Sequence, residues 1–146
     1  MVRTSTDPAP VGGRRQAREA ALQLIYLADL AEIGPADVPA YAWSEEPLAP
    51  RVREFAQRLA QGAISKQDTL DPLIRKHTQN WELNRMASID RCVLRMAAFE
   101  LLFEPETPVS VVINEAVEIV KKFSTADSGK FVNGILDKLK EERTAV

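Results

Sequence analysis

Basic side chains near the start of this 146-residue chain are the first candidates for chemistry. Among the first 18 residues, Arg3, Arg14, Arg15 and Arg18 are balanced only by Asp7. The whole chain has a formal net charge of −2, so this positive charge is local. A basic end on a nearly neutral protein is typical of nucleic-acid contact by one surface. A basic tail can also serve solubility alone, and composition does not separate the two.

The first predicted helix begins at Arg14 and carries two kinds of side chain away from its apolar stripe. At about 100° per residue, Arg15, Arg18, Leu22 and Tyr26 gather on the side opposite that stripe. The pattern predicts a composite face, with arginines for phosphates and apolar anchors for a partner protein. The alternative is that a second helix covers this side. The apolar stripe itself comprises Ala17, Ala20, Ala21, Leu24, Leu27, Ala28 and Ala31.

A second candidate site is the segment 123–131, FSTADSGKF, between the last two predicted helices. Lys121, Lys122 and Lys130 accompany small residues and Phe131. The lysines could hold phosphates while the ring stacks on an unpaired base. Lysines also suit a helix C-terminus, and a phenylalanine four residues before Ile135 is often core. Both interpretations stay open on these residues alone.

Signatures of an enzyme are missing from the sequence. There is one histidine, His77, and one cysteine, Cys92, and no glycine-rich phosphate loop or nucleophile elbow. We therefore expect no catalytic residues, no metal and no cofactor. No apolar run approaches the length of a membrane span, and residues 1–13 lack the hydrophobic stretch of a signal peptide. The protein is expected to be cytoplasmic.

The pattern of apolar residues predicts an all-α fold without internal repeats. Residues 1–13 are expected to be a disordered tail, and 34–50 a proline-rich loop. A long helical segment is predicted from Pro50 to about Gln79, kinked or divided at Pro72. A short helix around 83–88 and a nearly all-apolar central helix over 89–103 should follow. The last two helices are predicted from Pro108 to Lys122, and from an N-cap at Asp127 to about Glu142.

Three segments of this sequence resemble the NusB family in order and spacing. They are RRQAREAALQLIY at 14–26, LNRMASIDRCVLRMAAFELL at 83–102, and VINEAVEIVKKFSTADSGKFVNGILDKL at 112–139. The last segment is the most specific. The resemblance implies a single domain over 14–146, with about seven helices in two packed bundles at 14–79 and 82–142.

The resemblance also implies a function and contact residues. It implies a non-enzymatic transcription antitermination factor that binds the boxA element of nascent ribosomal RNA. The implied partner is NusE, a small-subunit ribosomal protein. The complex of the two proteins is implied to act indirectly on RNA polymerase. Implied RNA contacts map onto Arg14, Arg15, Arg18, Asp127, Lys130 and Phe131. Implied NusE contacts map onto Tyr26 and Asp90.

Departures from the family pattern and two alternatives accompany this resemblance. Ser124 and Thr125 stand where the family commonly has a glycine, and Pro72 interrupts a segment usually continuous. One alternative is an RNA-binding domain like that fused to ribosomal RNA cytosine methyltransferases. The other is a protein-only adaptor or self-associating bundle, since some family members form homodimers.

Overall fold

The computed structural model describes residues 11–32, 34, 48–78 and 86–143 of the chain. All regular structure in these residues is helical, which confirms the all-α prediction. Residues 1–10 of the tail predicted at 1–13, most of the loop predicted at 34–50 and residues 83–85 of the predicted short helix lie outside the described residues. Residues 11–13 are helical, so that part of the tail prediction is wrong. The helices are α1 (Val11–Ala31), α2 (Pro50–Ser65), α3 (Gln67–Lys76), α4 (Ser88–Phe103), α5 (Val109–Phe123), α6 (Ala126–Leu139) and a 3-10 turn (Lys140–Glu142).

Local signals mark the starts of three helices, α2, α5 and α6. Pro50 occupies the first turn of α2, where its missing N–H has no partner to lose. Pro108 directly precedes α5. The predicted N-cap at Asp127 is wrong: α6 is capped by Thr125, whose Oγ1 accepts a 3.0 Å hydrogen bond from the backbone N–H of Ser128. Helix α1 begins at Val11, three residues earlier than predicted.

The long segment after Pro50 divides at a different place from the one predicted. The break falls at Lys66, between α2 and α3, and not at Pro72. Pro72 lies inside α3 and is exposed. Because Pro72 is exposed, its ring lies outside the core, and α3 loses the hydrogen bond that the missing N–H would have donated.

Helix α4 is the centre of the molecule, as its all-round apolar sequence predicts. It contacts α1, α2, α3, α5 and α6, and every residue from Cys92 to Leu101 is buried. Helix α2 approaches it closely at Gly62, where an added Cβ would lie 2.1 Å from Cζ of Phe99. Glycine at this position therefore leaves room for the Phe99 ring of α4 against the backbone of α2.

Buried and half-buried ion pairs tie α1 and α3 to α4. The Arg95 guanidinium donates hydrogen bonds to Asp71 on α3, at 2.9 Å, and to Asp29 on α1, at 2.9 Å. Arg91 donates to the other oxygen of Asp29 at 2.7 Å. Such pairs contribute orientation when each charge keeps its partner. They fix where the C-terminal half of α1 lies along α4.

Helix α1 buries a wider arc than its apolar stripe predicts. Leu22 and Ile25 are buried in the core, whereas Leu27 is 38% exposed and Ala31 is exposed. The prediction that Leu22 faces away from the core is wrong. Leu22 is buried because α1 contacts both α2 and α4, so that neighbouring helices cover two sides of α1. The alternative of a second covering helix holds for Leu22 and Arg18, whereas Arg15 is exposed and Tyr26 half-buried.

Candidate nucleic-acid interface

An ion pair joins the start of α1 to the middle of α5. The Nε of Arg15 donates to Oε1 of Glu115 at 3.0 Å, and its Nη2 contacts the other carboxylate oxygen. This hydrogen bond holds the pKa of Glu115 below its ordinary value and raises that of Arg15. The Arg15 side chain is still 44% exposed. It can therefore exchange the carboxylate for another anion without unfolding.

A second pair brings the end of α5 onto the same surface. Lys122 Nζ donates to Glu19 on α1 at 2.9 Å, one helical turn beyond Arg15. The stem of Lys121 lies across the start of α6, where a Cβ on Gly129 would come within 2.8 Å of it. Lys130, on the first turns of α6, is exposed. The cations of α1, α5 and α6 thus form one basic surface, defined here as Arg15, Lys121, Lys122 and Lys130.

Arg14 lies next to the basic surface but is held by an aromatic ring. Its guanidinium lies 4.3 Å from the centroid of Phe55 on α2. A cation over a ring face keeps its charge available at its outer edge. Arg14 is exposed, so the structure leaves it accessible to a phosphate.

Arg18 is a correction to the sequence prediction. It is 4% exposed, and its guanidinium donates two hydrogen bonds to Glu100 on α4, at 2.9 and 2.6 Å. Glu100 is 1% exposed. A buried carboxylate needs this partner, because an unpaired charge in the interior is costly. Arg18 therefore joins α1 to α4 inside the protein and offers no open face to RNA.

The start of α6 combines a cap, a ring and a pocket. Ser128 donates its backbone N–H to Thr125, and Phe131 packs partly against the core. Asp127 and Lys130 are exposed on either side. The two interpretations of Phe131 are not exclusive, since the ring is half-buried and also lines the pocket. The structure thus places Asp127 and Phe131, both predicted from this segment, around one pocket, with Lys130 exposed next to it.

The predicted partner residues divide between surface and interior. Tyr26 is half-buried, and Leu30, four residues further along α1, is 61% exposed. Asp90 is only 8% exposed and accepts a hydrogen bond from Ser128 Oγ at 2.8 Å. Asp90, like Leu22, is therefore not part of an open docking face. The apolar end of α1 is defined here as Tyr26, Leu27 and Leu30.

Sequence reasoning missed the carboxylates of the site. Glu115 and Glu19 pair with the cations of the basic surface across 100 and 103 residues of chain. Their positions within their own helices look like ordinary solvated charge. The sequence contains no local pattern that would indicate these pairs, because α5 and α1 meet only through the packing of the folded protein. These two acids compete with a ligand for Arg15 and Lys122, and Glu118, 3.7 Å from Lys121 Nζ, competes for Lys121.

The comparisons with known proteins agree with this geometry. The sequence pattern of the NusB family matches residues 15–141. The transcription antitermination protein NusB of Elusimicrobium minutum is 47% identical over 135 residues, covering 91% of this chain and 96% of that protein. The fold matches a T. maritima NusB structure with a TM-score of 0.81 at 35% identity, over 90% of this chain and 93% of that one.

A further match of the fold is to a solved complex of protein and RNA. It is a crystal structure of the antitermination factors NusB and NusE in complex with double-stranded RNA. Its TM-score is 0.81 at 26% identity, and the match covers 91% of this chain and 99% of that chain.

The fold and the basic surface define a helical binding protein. The chain belongs to the NusB family of transcription antitermination proteins. The predicted family, fold and absence of enzymatic function are confirmed. No helix in the described parts of the chain is long and apolar enough to cross a membrane.

Proposed function

We propose that this protein binds the boxA element of nascent ribosomal RNA together with NusE and so supports transcription antitermination. The observation that carries the proposal is the basic surface, which continues from α1 across α5 to the pocket at the start of α6. The structural neighbour that holds NusE and RNA has the same fold. Association with the elongating RNA polymerase through this complex stays a prediction, as do homodimer formation and the cytoplasmic location.

RNA phosphates are expected to replace the carboxylates that now pair with the exposed cations. Lys122 is the clearest case, because its side chain is 60% exposed and its partner Glu19 lies at the surface. Exposed pairs of this kind contribute at most about 1 kcal/mol, so a phosphate can compete with them. Release of counterions from RNA then supplies the binding free energy.

The test of this surface is a salt titration of RNA binding. Lys122→Ala should weaken binding to a labelled boxA RNA and make the salt dependence shallower by about 0.7 in log–log slope. The matched control is Lys140→Ala, because Lys140 also forms an exposed pair, with Asp137, beyond the far end of α6. Equal effects of the two variants, or none, would contradict the proposal.

Phe131 is proposed to stack on an unpaired base. Phe131→Ala should cost about 1–3 kcal/mol in RNA binding. Its effect on unfolding should stay below the roughly 3–5 kcal/mol of a fully buried phenylalanine, since the ring is half-buried. Phe103→Ala is the control, because Phe103 is 39% exposed at the end of α4 and does not line the pocket. A large fall in melting temperature with intact RNA affinity would return Phe131 to a structural role.

NusE is proposed to dock on the apolar end of α1. Tyr26 and Leu30 are four residues apart and share one face of the helix. A tyrosine can bury its ring against a partner while its hydroxyl stays hydrogen-bonded. Asp29, which binds Arg91, holds this end of α1 against the start of α4 and gives the partner a rigid surface.

Two charge substitutions test the docking surface. Tyr26→Asp and Leu30→Asp should both abolish or strongly weaken NusE binding, and RNA binding by the isolated protein should survive. Leu30→Asp is the sharper test, because a side chain that is 61% exposed contributes little to stability. Thr69→Asp adds the same charge on an exposed position of α3 and serves as control. Normal NusE binding by Leu30→Asp and Tyr26→Asp would refute this surface.

A further inference from the structure

Three arginines surround the ring of one buried phenylalanine, Phe55 of α2. Phe55 is 3% exposed, and the guanidinium carbons of Arg14, Arg18 and Arg58 lie 4.3, 5.3 and 5.3 Å from the centroid of its ring. Arg18 is paired with Glu100 inside the protein. The other two arginines are exposed, so the buried ring is a rigid base beneath two cations that solvent can reach.

The carboxylates nearby leave these two arginines with the capacity to bind another anion. Arg58 contacts Oε1 of Glu104 through Nε and Nη2, at 2.9 and 2.8 Å, and its side chain is 49% exposed. A guanidinium group has five N–H donors, so Arg58 keeps donors for a second acceptor. Among the described residues, no carboxylate forms an ion pair with Arg14, whose guanidinium lies over the ring.

Helix α2 extends this cluster along its outer face. Arg51 is exposed and precedes Arg58 by about two helical turns, so the two share one side of the helix. Arg14, Arg51 and Arg58 are defined here as the α2 arginine surface. Glu54 is the only acid of α2, and together with Glu104 it leaves an excess of positive charge on this surface.

The first turns of α1 lie between the α2 arginine surface and the basic surface. Arg14 and Arg15 are consecutive in α1, but Arg15 pairs with Glu115 of α5, whereas Arg14 lies over Phe55 of α2. A strand of RNA that crosses the start of α1 therefore meets both surfaces. Guanidinium groups form paired hydrogen bonds with phosphates. Helix α2 exposes no large apolar side chain of the kind that anchors a protein partner, which favours RNA as the ligand.

We propose that the α2 arginine surface binds phosphates of the RNA that flanks boxA, so that the bound strand passes over the start of α1. The proposal rests on the RNA binding proposed above and adds Arg51 and Arg58 as contact residues that the sequence pattern did not indicate. Contacts to phosphates carry no sequence information, so this surface lengthens the bound RNA without reading its bases. Its contribution to affinity should depend on salt.

The experiment compares a labelled boxA RNA with the same RNA extended by a run of uridines on its 5′ or its 3′ side. With the full-length protein, one of the extended RNAs should bind more tightly than boxA alone. Arg58→Gln should weaken binding of that RNA by about threefold to fivefold, as expected for one exposed ion pair. It should also reduce the log–log salt slope for that RNA by about 0.7, whereas binding of boxA alone should not change.

Two features of these variants separate binding from folding. The glutamine amide at position 58 can still donate to Glu104, so the melting temperature of Arg58→Gln should stay close to that of the wild type. Arg53→Gln is the matched control, because Arg53 is an exposed arginine of the same helix that points about 140° away from Arg58. It should not reduce the advantage of the extended RNA.

Each other outcome overturns the proposal in a recognisable way. Equal losses in Arg58→Gln and Arg53→Gln would show a diffuse attraction without a defined surface, and extended RNAs that bind no more tightly than boxA alone would confine RNA to the basic surface. Loss of NusE affinity in Arg58→Gln without an effect on RNA would assign the arginines to the protein partner. A wild type that binds no boxA RNA, with or without NusE, would refute the proposed function itself. Should Arg58→Gln lower the melting temperature, Arg51→Gln takes its place and should give the same selective loss, since Arg51 forms no ion pair among the described residues.

Discussion

Removal of the Glu115 charge should increase RNA affinity. Arg15 is the exposed cation of α1 in the basic surface, and in the free protein it is paired with Glu115. Binding of a phosphate by Arg15 therefore requires that this pair open first. Glu115→Gln preserves the shape of the side chain and removes the charge that competes with RNA.

The magnitude follows from the exposure of the two partners. The side chains of Arg15 and Glu115 are 44% and 18% exposed, so water screens the pair on one side. Pairs of this kind contribute about 0.2–1 kcal/mol. If the whole of that is released, RNA affinity rises by up to about fivefold. Stability should fall by no more than about 1 kcal/mol, since Arg18, whose Nη1 lies 3.5 Å from Glu115, keeps its main partner Glu100.

The assay is fluorescence anisotropy with a labelled boxA RNA at several salt concentrations. In Glu115→Gln the affinity should rise at every salt concentration with the salt slope little changed, because Arg15 displaces a counterion from the RNA in both proteins. Asp137→Asn is the control: its side chain is 62% exposed, it pairs with Lys140, and it changes the net charge by the same amount. Unchanged or weaker binding by Glu115→Gln, or an equal gain in Asp137→Asn, would refute the reasoning.

Three further predictions concern stability. Arg18→Ala should destabilise the protein by about 3–5 kcal/mol in urea unfolding, because it leaves Glu100 buried and unpaired; a milder effect would mean that water reaches this pair. Gly62→Ala should destabilise by about 1–3 kcal/mol through overpacking, whereas Gly134→Ala, where a Cβ meets no atom within 4 Å, should stabilise by up to about 1 kcal/mol. Thermal unfolding should show a lower melting temperature for Gly62→Ala and a higher one for Gly134→Ala. Melting temperatures that shift in the same direction would contradict the packing argument. Burial alone would raise the pKa of Asp29, but hydrogen bonds from two arginines lower it below 3.8. The ionised Asp29 carboxylate therefore stabilises the folded protein fully at pH values above the ordinary pKa of aspartate. This stabilisation is lost as the pH falls through the lowered pKa of the folded protein. Asp29→Asn should remove this part of the acid dependence below about pH 4, and an unchanged acid limb would exclude it.

Helix content and the central position of α4 could be predicted from the sequence, because both depend on local information. The 3.6-residue period of apolar side chains is a property of each segment by itself. Pro50 and Pro108 restrict the backbone where they stand, so two helix starts were predicted correctly. The cluster at the start of α6 was also predictable, since its residues lie within a few positions of one another in the chain.

Only the tertiary structure decided which of the predicted contact residues face solvent. A helical projection gives the angle of each side chain but not how many neighbours cover the helix. Arg18 and Leu22 are buried because α1 packs against two helices, and Asp90 is buried because Ser128 of α6 reaches it. The pairs formed by Arg15 and Lys122 join residues about a hundred positions apart, and no local pattern records such a distance. Burial and ion pairing depend on packing between helices, so the sequence predicted the candidates and the fold selected among them.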